Sequence, residues 1–155
     1  MIDSAVLLAD ARTLLKDLEQ DLREQTEADV EWAAALRTEH ATATTRGRTA
    51  LSWPVWRDGK LADAAVSWVL AGVFVRFCED NHLLDGHPTA GREPVWIGGA
   101  DSARAVEHQQ AYYEAHPTHH SRDWLHQAFG ALADLPAGGF LDRRPNPVWR
   151  GPLST

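Results

Sequence analysis

The eight histidines are the first residues to ask for chemistry. His116, His119 and His120 share one short loop, and His126 follows a turn and a half later. A zinc site needs three or four convergent nitrogen, sulfur or oxygen ligands. Adjacent His119 and His120 side chains point in different directions, so no metal is expected there. Cys78, Glu79, His82 and His87 form a looser second group. It lacks a Cys-x-x-Cys frame, and Cys78 falls in an apolar helical stretch where cysteine acts as a small hydrophobe. No metal is expected there either.

Glu79 and Asp80 are more informative. They fall in the last turn of the most apolar helix of the chain, where a carboxylate opposes the negative end of the helix dipole. Something must compensate them. Arg76 is three and four residues earlier, at ion-pair spacing, and Arg143 or Arg144 from the tail is a second source of charge. A structural salt bridge is the first reading, and an interface or ligand contact the second. No Gly-x-Ser-x-Gly elbow, phosphate loop or Gly-x-Gly-x-x-Gly turn is present. Residue chemistry alone therefore supports a helical domain without a catalytic residue.

Charge is unevenly placed within a net −7. Residues 1–39 hold ten acidic against four basic residues, a balance of −6. Residues 40–60 hold Arg46, Arg48, Arg57 and Lys60 against Asp58, and the segment from Phe140 holds Arg143, Arg144 and Arg150 against Asp142. An acidic first third repels phosphate. Any contact with DNA or another partner is therefore expected at Arg46, Arg48, Arg57, Arg143, Arg144 and Arg150, with Glu79 and Asp80 as further interface candidates.

The elements that position these residues read as helices. Residues 3–25 place Leu7, Ala11, Leu14, Leu15, Leu18 and Leu22 on one stripe, which implies a partner helix in this chain or in another domain. Asp3 or Ser4 supplies the cap. Residues 28–40 read as a second helix and 42–48 as a Thr/Arg/Gly-rich loop. Trp53-Pro54-Val55-Trp56 reads as a turn or a helix start. Residues 61–80 form the central helix, apolar on almost every side from Ala64 to Val75, with Asn81 as its left-handed cap. A Gly/Pro-rich loop over 85–100, with a short extended piece at Pro94–Ile97, leads to helices over 101–115 (capped by Asp101 or Ser102) and 122–134 (capped by Ser121). The expected architecture is an all-α bundle of about five helices over residues 1–139. An irregular tail over 140–155 follows, with Leu153 awaiting cover from outside the chain.

The 155 residues suffice for one domain that buries roughly 70% of its unfolded surface. The single cysteine allows no internal disulfide, which fits a cytoplasmic protein. No basic region precedes an apolar stretch at the N-terminus, so no secretory signal is expected. The longest uncharged apolar run is twelve residues, Ala64 to Val75, against about 20 for a bilayer span, so no membrane partner is expected.

The run Phe74-Val75-Arg76-Phe77-Cys78-Glu79-Asp80-Asn81, with Leu83-Leu84 after it, resembles the signature helix near the N-terminus of the PglX family. These are the adenine-specific DNA methyltransferases of phage growth limitation and type 2 BREX systems. Leu14 to Arg23 resembles the family's opening helix. Arg48-Thr49-Ala50 through Trp53 and Trp56-Arg57-Asp58 resembles the approach to the signature helix. His116-Pro117-Thr118, Arg122-Asp123-Trp124-Leu125 and Asp142-Arg143-Arg144 with Asn146-Pro147 resemble the closing part.

The resemblance implies the N-terminal helical portion of a longer enzyme that uses S-adenosylmethionine. Its implied partners are the remainder of that chain, other phage-defence proteins and, through the full enzyme, double-stranded DNA. It assigns no cofactor or catalytic residue to this chain. Asn146-Pro147-Val148-Trp149 is close to the Asn/Asp-Pro-Pro-aromatic motif that holds a flipped adenine, but has valine at the third position and no apolar strand before it. The alternative is a stand-alone helical nucleic-acid-binding or protein-interaction module.

Overall fold

The computed structural model describes residues 4–83, 95–98, 102–134, 138–144, 146–151 and 153–154. They form five helices: α1 (Ser4–Ala28), α2 (Val30–Thr45), α3 (Trp53–Asp80), α4 (Ser102–Ala115) and α5 (Ser121–Ala133). Two 3-10 turns follow, Gly138–Leu141 and Pro147–Trp149. Among the described residues there is no strand, so the all-α expectation holds. The chain divides into two compact units, Met1–Val69 with Pro147–Ser154, and Leu70–Asn146 with Thr155.

In the first unit, α1 runs on to Ala28 because nothing breaks it before Asp29. The Asp29 carboxylate then caps α2, accepting from the Trp32 amide at 2.9 Å. α2 continues five residues beyond the expected 40, through the stretch read as a loop. Its threonines make this possible: Thr38, Thr42, Thr44 and Thr45 each donate a hydroxyl to the carbonyl four residues back. The helix stops at Gly47, whose φ of 65° closes it, with Arg48 N–H donating to the Ala43 carbonyl at 2.8 Å.

α3 begins eight residues earlier than the expected 61. Pro54 sits in its first turn, where a missing N–H costs no helical bond, and Trp56 N–H already donates to Ser52. The buried residues of this unit include Leu22, Leu36, Trp56, Leu61, Ala64, Ala65 and Trp68. Arg23–Asp58, Arg57–Glu27 and Lys60–Glu39 ion pairs add surface links between helices.

Among its described residues the tail has no α-helix, and it is anchored. Val148 and Leu153 are buried, a Cβ on Gly151 would lie 3.5–3.9 Å from the Trp32 and Leu22 side chains, and the Ser154 amide donates to Asp21 at 2.8 Å. Leu153 is thus covered by this chain and needs nothing from outside, contrary to expectation. The expected stripe on α1 is satisfied only in part. Leu22 is buried and Leu15 and Leu18 are half-buried, whereas Leu7 and Leu14 remain exposed. Asp3 lies outside the described residues.

In the second unit, α3 from Leu70 supplies Ala71, Val75 and Cys78 to a core with Ala105, Trp124, Ala128, Phe129, Leu132 and Leu141. The left-handed residue ending α3 is His82, with φ 54°, and not Asn81. Leu83 N–H donates to the Cys78 carbonyl and His82 N–H to that of Glu79, the paired bonds that require the left-handed position one residue past the cap. Asn81 instead donates its side-chain amide to the Phe77 carbonyl. Likewise α5 is capped at His120 and not Ser121, because Asp123 reaches back to accept the His120 N–H at 2.9 Å. Asp101 and most of the expected 85–100 loop lie outside the described residues. Val95–Gly98 are irregular bends without strand pairing.

By length and composition α3 is able to cross a membrane. Its Leu61, Ala64, Ala65, Trp68, Ala71, Val75 and Cys78 side is, however, buried in protein.

Two substitutions test the second core. Phe129 is fully buried, so Phe129→Ala is expected to lower unfolding free energy by about 3–5 kcal/mol, read as a fall in the urea midpoint. A Cβ on Gly138 would sit 1.8 Å from the Leu132 carbonyl oxygen. Gly138→Ala is therefore expected to cost roughly 1–3 kcal/mol; an unchanged midpoint contradicts this packing.

Candidate functional site

The first candidate lies in the first unit, where α2 ends and α3 begins. A groove of about 550 Å³ is lined by Thr38, Glu39, Thr42, Arg48, Trp56 and Lys60 among others. Lys60 pairs with Glu39 at 3.0 Å and lies 5.1 Å above the Trp56 ring. Trp53 stacks on Trp56, His40 packs against both, and the Arg37 guanidinium lies over Trp53 at 4.7 Å. His40 Nε2 is tied to the Leu51 carbonyl.

Against this background the six arginines separate. Arg46 and Arg48 flank Gly47, are exposed, and enter no ion pair among the described residues. Arg46 also stands at the α2 C-terminus, where its charge is favourable. Arg57 is committed to Asp58 at 2.8 Å and Glu27 at 3.7 Å. Arg143 rests against α5, its Nη2 3.2 Å from where a Cβ on Gly130 would be. Arg144 and Arg150 are likewise engaged within the protein. Arg143 and Arg144 belong to the second unit and the other four to the first.

The second candidate is built around Glu79. Its side chain is only 6% exposed. The expected ion pairs are present: Arg76 reaches Glu79 at 3.7 Å and also binds Asp80. The stronger compensation was not legible in the sequence. Glu79 Oε1 accepts the backbone N–H groups of Trp96 and Ile97, the latter at 2.9 Å, and Oε2 accepts that of Gly98 at 2.9 Å. Three peptide dipoles thus converge on one carboxylate. The only sequence signal was the misplaced charge at a helix end.

This clamp leads into a ring cluster. Trp96 packs at 4.8 Å from both His108 and Trp124. His108 Nδ1 lies 3.2 Å from the Val95 carbonyl. Tyr112 contacts Trp124 and its hydroxyl lies 2.6 Å from His119 Nδ1. His116 and His119 stack nearly parallel, 4.8 Å apart, so ring faces meet and not lone pairs. His126 packs on Phe129. No group of three potential metal ligands converges among the described residues, and His87 lies outside them.

Burial, then the charges of Asp123 and Tyr113, push the Tyr112 phenol up against a smaller opposing bond from Gln127. Burial and then the Glu79 charge push the Cys78 thiol up. The His120 amide holds Asp123 below the usual carboxylate range against its partial burial, helped by Arg122, His119 and His126. Asn146-Pro147-Val148-Trp149 leads into a 3-10 turn with Val148 buried.

Over 158 aligned residues the chain is 41% identical to the adenine-specific methyltransferase PglX of Streptomyces coelicolor. The chain is homologous to one stretch of PglX. That match takes in 99% of this chain but spans only 12% of the length of PglX. No family model matches the chain, and no solved structure does. The family named from the Phe74–Asn81 run and its companions is thus the one the match supports.

Three outcomes check these geometries. Glu79→Gln is expected to destabilise the second unit by about 1–3 kcal/mol and to speed exchange of the Trp96, Ile97 and Gly98 amides, followed by hydrogen–deuterium exchange. A depressed Asp123 contributes stability above its unfolded pKa of about 3.9 and loses it as pH falls through the lower folded value. Asp123→Asn should therefore lose less stability than the parent between neutral pH and the acid limb. Finally, a raised and buried Cys78 thiol is expected to resist an aromatic disulfide reagent at pH 8 until urea unfolds the chain; fast native labelling contradicts this.

Proposed function

We propose that this chain is an N-terminal, helical, non-catalytic portion of a PglX-like adenine-specific DNA methyltransferase, acting in the cytoplasm as part of a phage-defence system of the Pgl or BREX kind. The 41% identity across 99% of the chain, against 12% of the length of PglX, carries this reading. The order of the Leu14–Arg23, Arg48–Asp58, Phe74–Asn81 and His116–Leu125 resemblances supports the N-terminal placement.

S-adenosylmethionine is the cofactor such a full-length enzyme uses, supplying the methyl group. The residues described here do not fit it. No strand delivers a Gly-rich turn among them, Gly98 is taken up with Glu79, and Val148 is buried in its 3-10 turn. No catalytic step is derived through this chain. Its role is to pack with the remainder of the methyltransferase or other defence proteins and to contact DNA.

Within that role Arg46 and Arg48 are the best phosphate contacts, because their charges are uncommitted while Arg57 is neutralised locally. Arg143, Arg144, Arg150, Glu79 and Asp80 serve internal structure first. A stand-alone nucleic-acid-binding module is the second reading, favoured by the same two arginines.

The purified 155-residue chain is expected to leave labelled S-adenosylmethionine unused, while the intact polypeptide carrying it methylates adenine N6 in duplex DNA. Methyl transfer by the chain alone overturns the non-catalytic reading, and an intact polypeptide without adenine methylation overturns the family role. Replacing Arg46 and Arg48 by alanine is expected to reduce the salt slope of DNA binding by about 2. An unchanged slope excludes them as phosphate contacts.

A further inference from the structure

From Leu70 onward α3 is apolar on two sides. Ala71, Val75 and Cys78 are buried in the second unit, while Leu70, Val73 and Phe77 are 59%, 47% and 51% exposed. Spacings of three and four residues align them in one stripe, and the Phe74 ring stacks on Phe77 at 6.1 Å. A helix of a soluble protein turns polar residues outward opposite its core, and one that is apolar all round belongs inside something larger. The nearby charge does not break the stripe, since Arg76 is directed to Glu79 and Asp80.

Three covers are conceivable for such a stripe, and two fit poorly. From Leu70 to Phe77 the helix rises about 10 Å, a third of the ~30 Å hydrocarbon core of a bilayer. A second copy brings another −7 charge. A stripe of three side chains also falls short of the ~800 Å² per partner typical of free association. A body tethered in the same polypeptide differs, because its effective concentration is on the order of millimolar and a small patch then suffices. PglX provides such a body, since this chain matches 12% of its length.

We infer that Leu70, Val73 and Phe77 form the docking face for the rest of the methyltransferase polypeptide, which covers them with an apolar surface of its own. This rests on the chain being part of such a methyltransferase.

Hydroxyl-radical footprinting tests it by comparing the isolated chain with the intact methyltransferase that carries it. Oxidation of Leu70 and Phe77 is expected to fall about fivefold or more in the intact protein, the change from a half-exposed to a packed side chain. Phe77→Asp is expected to restore labelling of Leu70 in the intact protein while leaving the circular dichroism of the isolated chain unchanged. Equal labelling in the two proteins overturns the docking face. So does protection of Phe77 in the isolated chain by self-association or by phosphatidylcholine–phosphatidylglycerol vesicles. Adenine methylation by the intact protein with Phe77 labelled as in the isolated chain removes the docking face alone; absence of methylation removes the functional reading and the docking face with it.

Discussion

Apolar surface on α3 has to leave water, and each unit meets that demand with its own set of residues. The helix carries twelve consecutive uncharged residues from Ala64 to Val75. Leu61, Ala64, Ala65 and Trp68 are buried in the first unit, and Ala71, Val75 and Cys78 in the second. Each fully buried large side chain contributes about 1.5–3 kcal/mol, while the small alanines let neighbouring elements come close. The same composition that supplies two cores also leaves Leu70, Val73 and Phe77 outside them.

Burying the end of α3 raises a second problem, because Glu79 takes a negative charge into the protein at the unfavourable end of a helix. An unpaired buried carboxylate is strongly disfavoured. The structure answers with three peptide N–H groups and an arginine, and Trp96 then joins the ring cluster of α4 and α5. Glu79 thus fixes the Trp96–Gly98 segment, which in turn places Trp96 between His108 and Trp124. The geometry is that of a structural clamp, with the His108 ring packed on Trp96 and Trp124 beside it.

Helix type and order were legible in the sequence because they depend on local periodicity. Of the apolar residues of the 122–134 helix, Trp124, Ala128, Phe129 and Leu132 are buried and Leu125 is half-buried. The ion pair of Arg76 with Glu79 and Asp80 followed from spacing alone. What was missed depends on geometry that composition does not encode. Four threonines bonding to their own helix carried α2 through a stretch that reads as loop. Asp123 moved the α5 cap to His120, and the backbone amides that bind Glu79 have no sequence signature. The separation of free Arg46 and Arg48 from committed Arg57 and Arg143 likewise required knowing which carboxylates and helix faces came near.

The first unit is discontinuous: Val148, Gly151, Leu153 and Ser154 complete a core begun by α1 and α2. A ribosome therefore releases all of Leu70–Asn146 before the Ser154 amide is able to reach Asp21. The second unit is free to form during synthesis, while the first waits with part of its apolar surface open. Closing so long a loop costs little in stability, because the entropy grows only with the logarithm of length. It slows assembly, since contacts distant in sequence come late. A nascent chain stalled just before Pro147 would thus carry an unfinished first core, a substrate for chaperones.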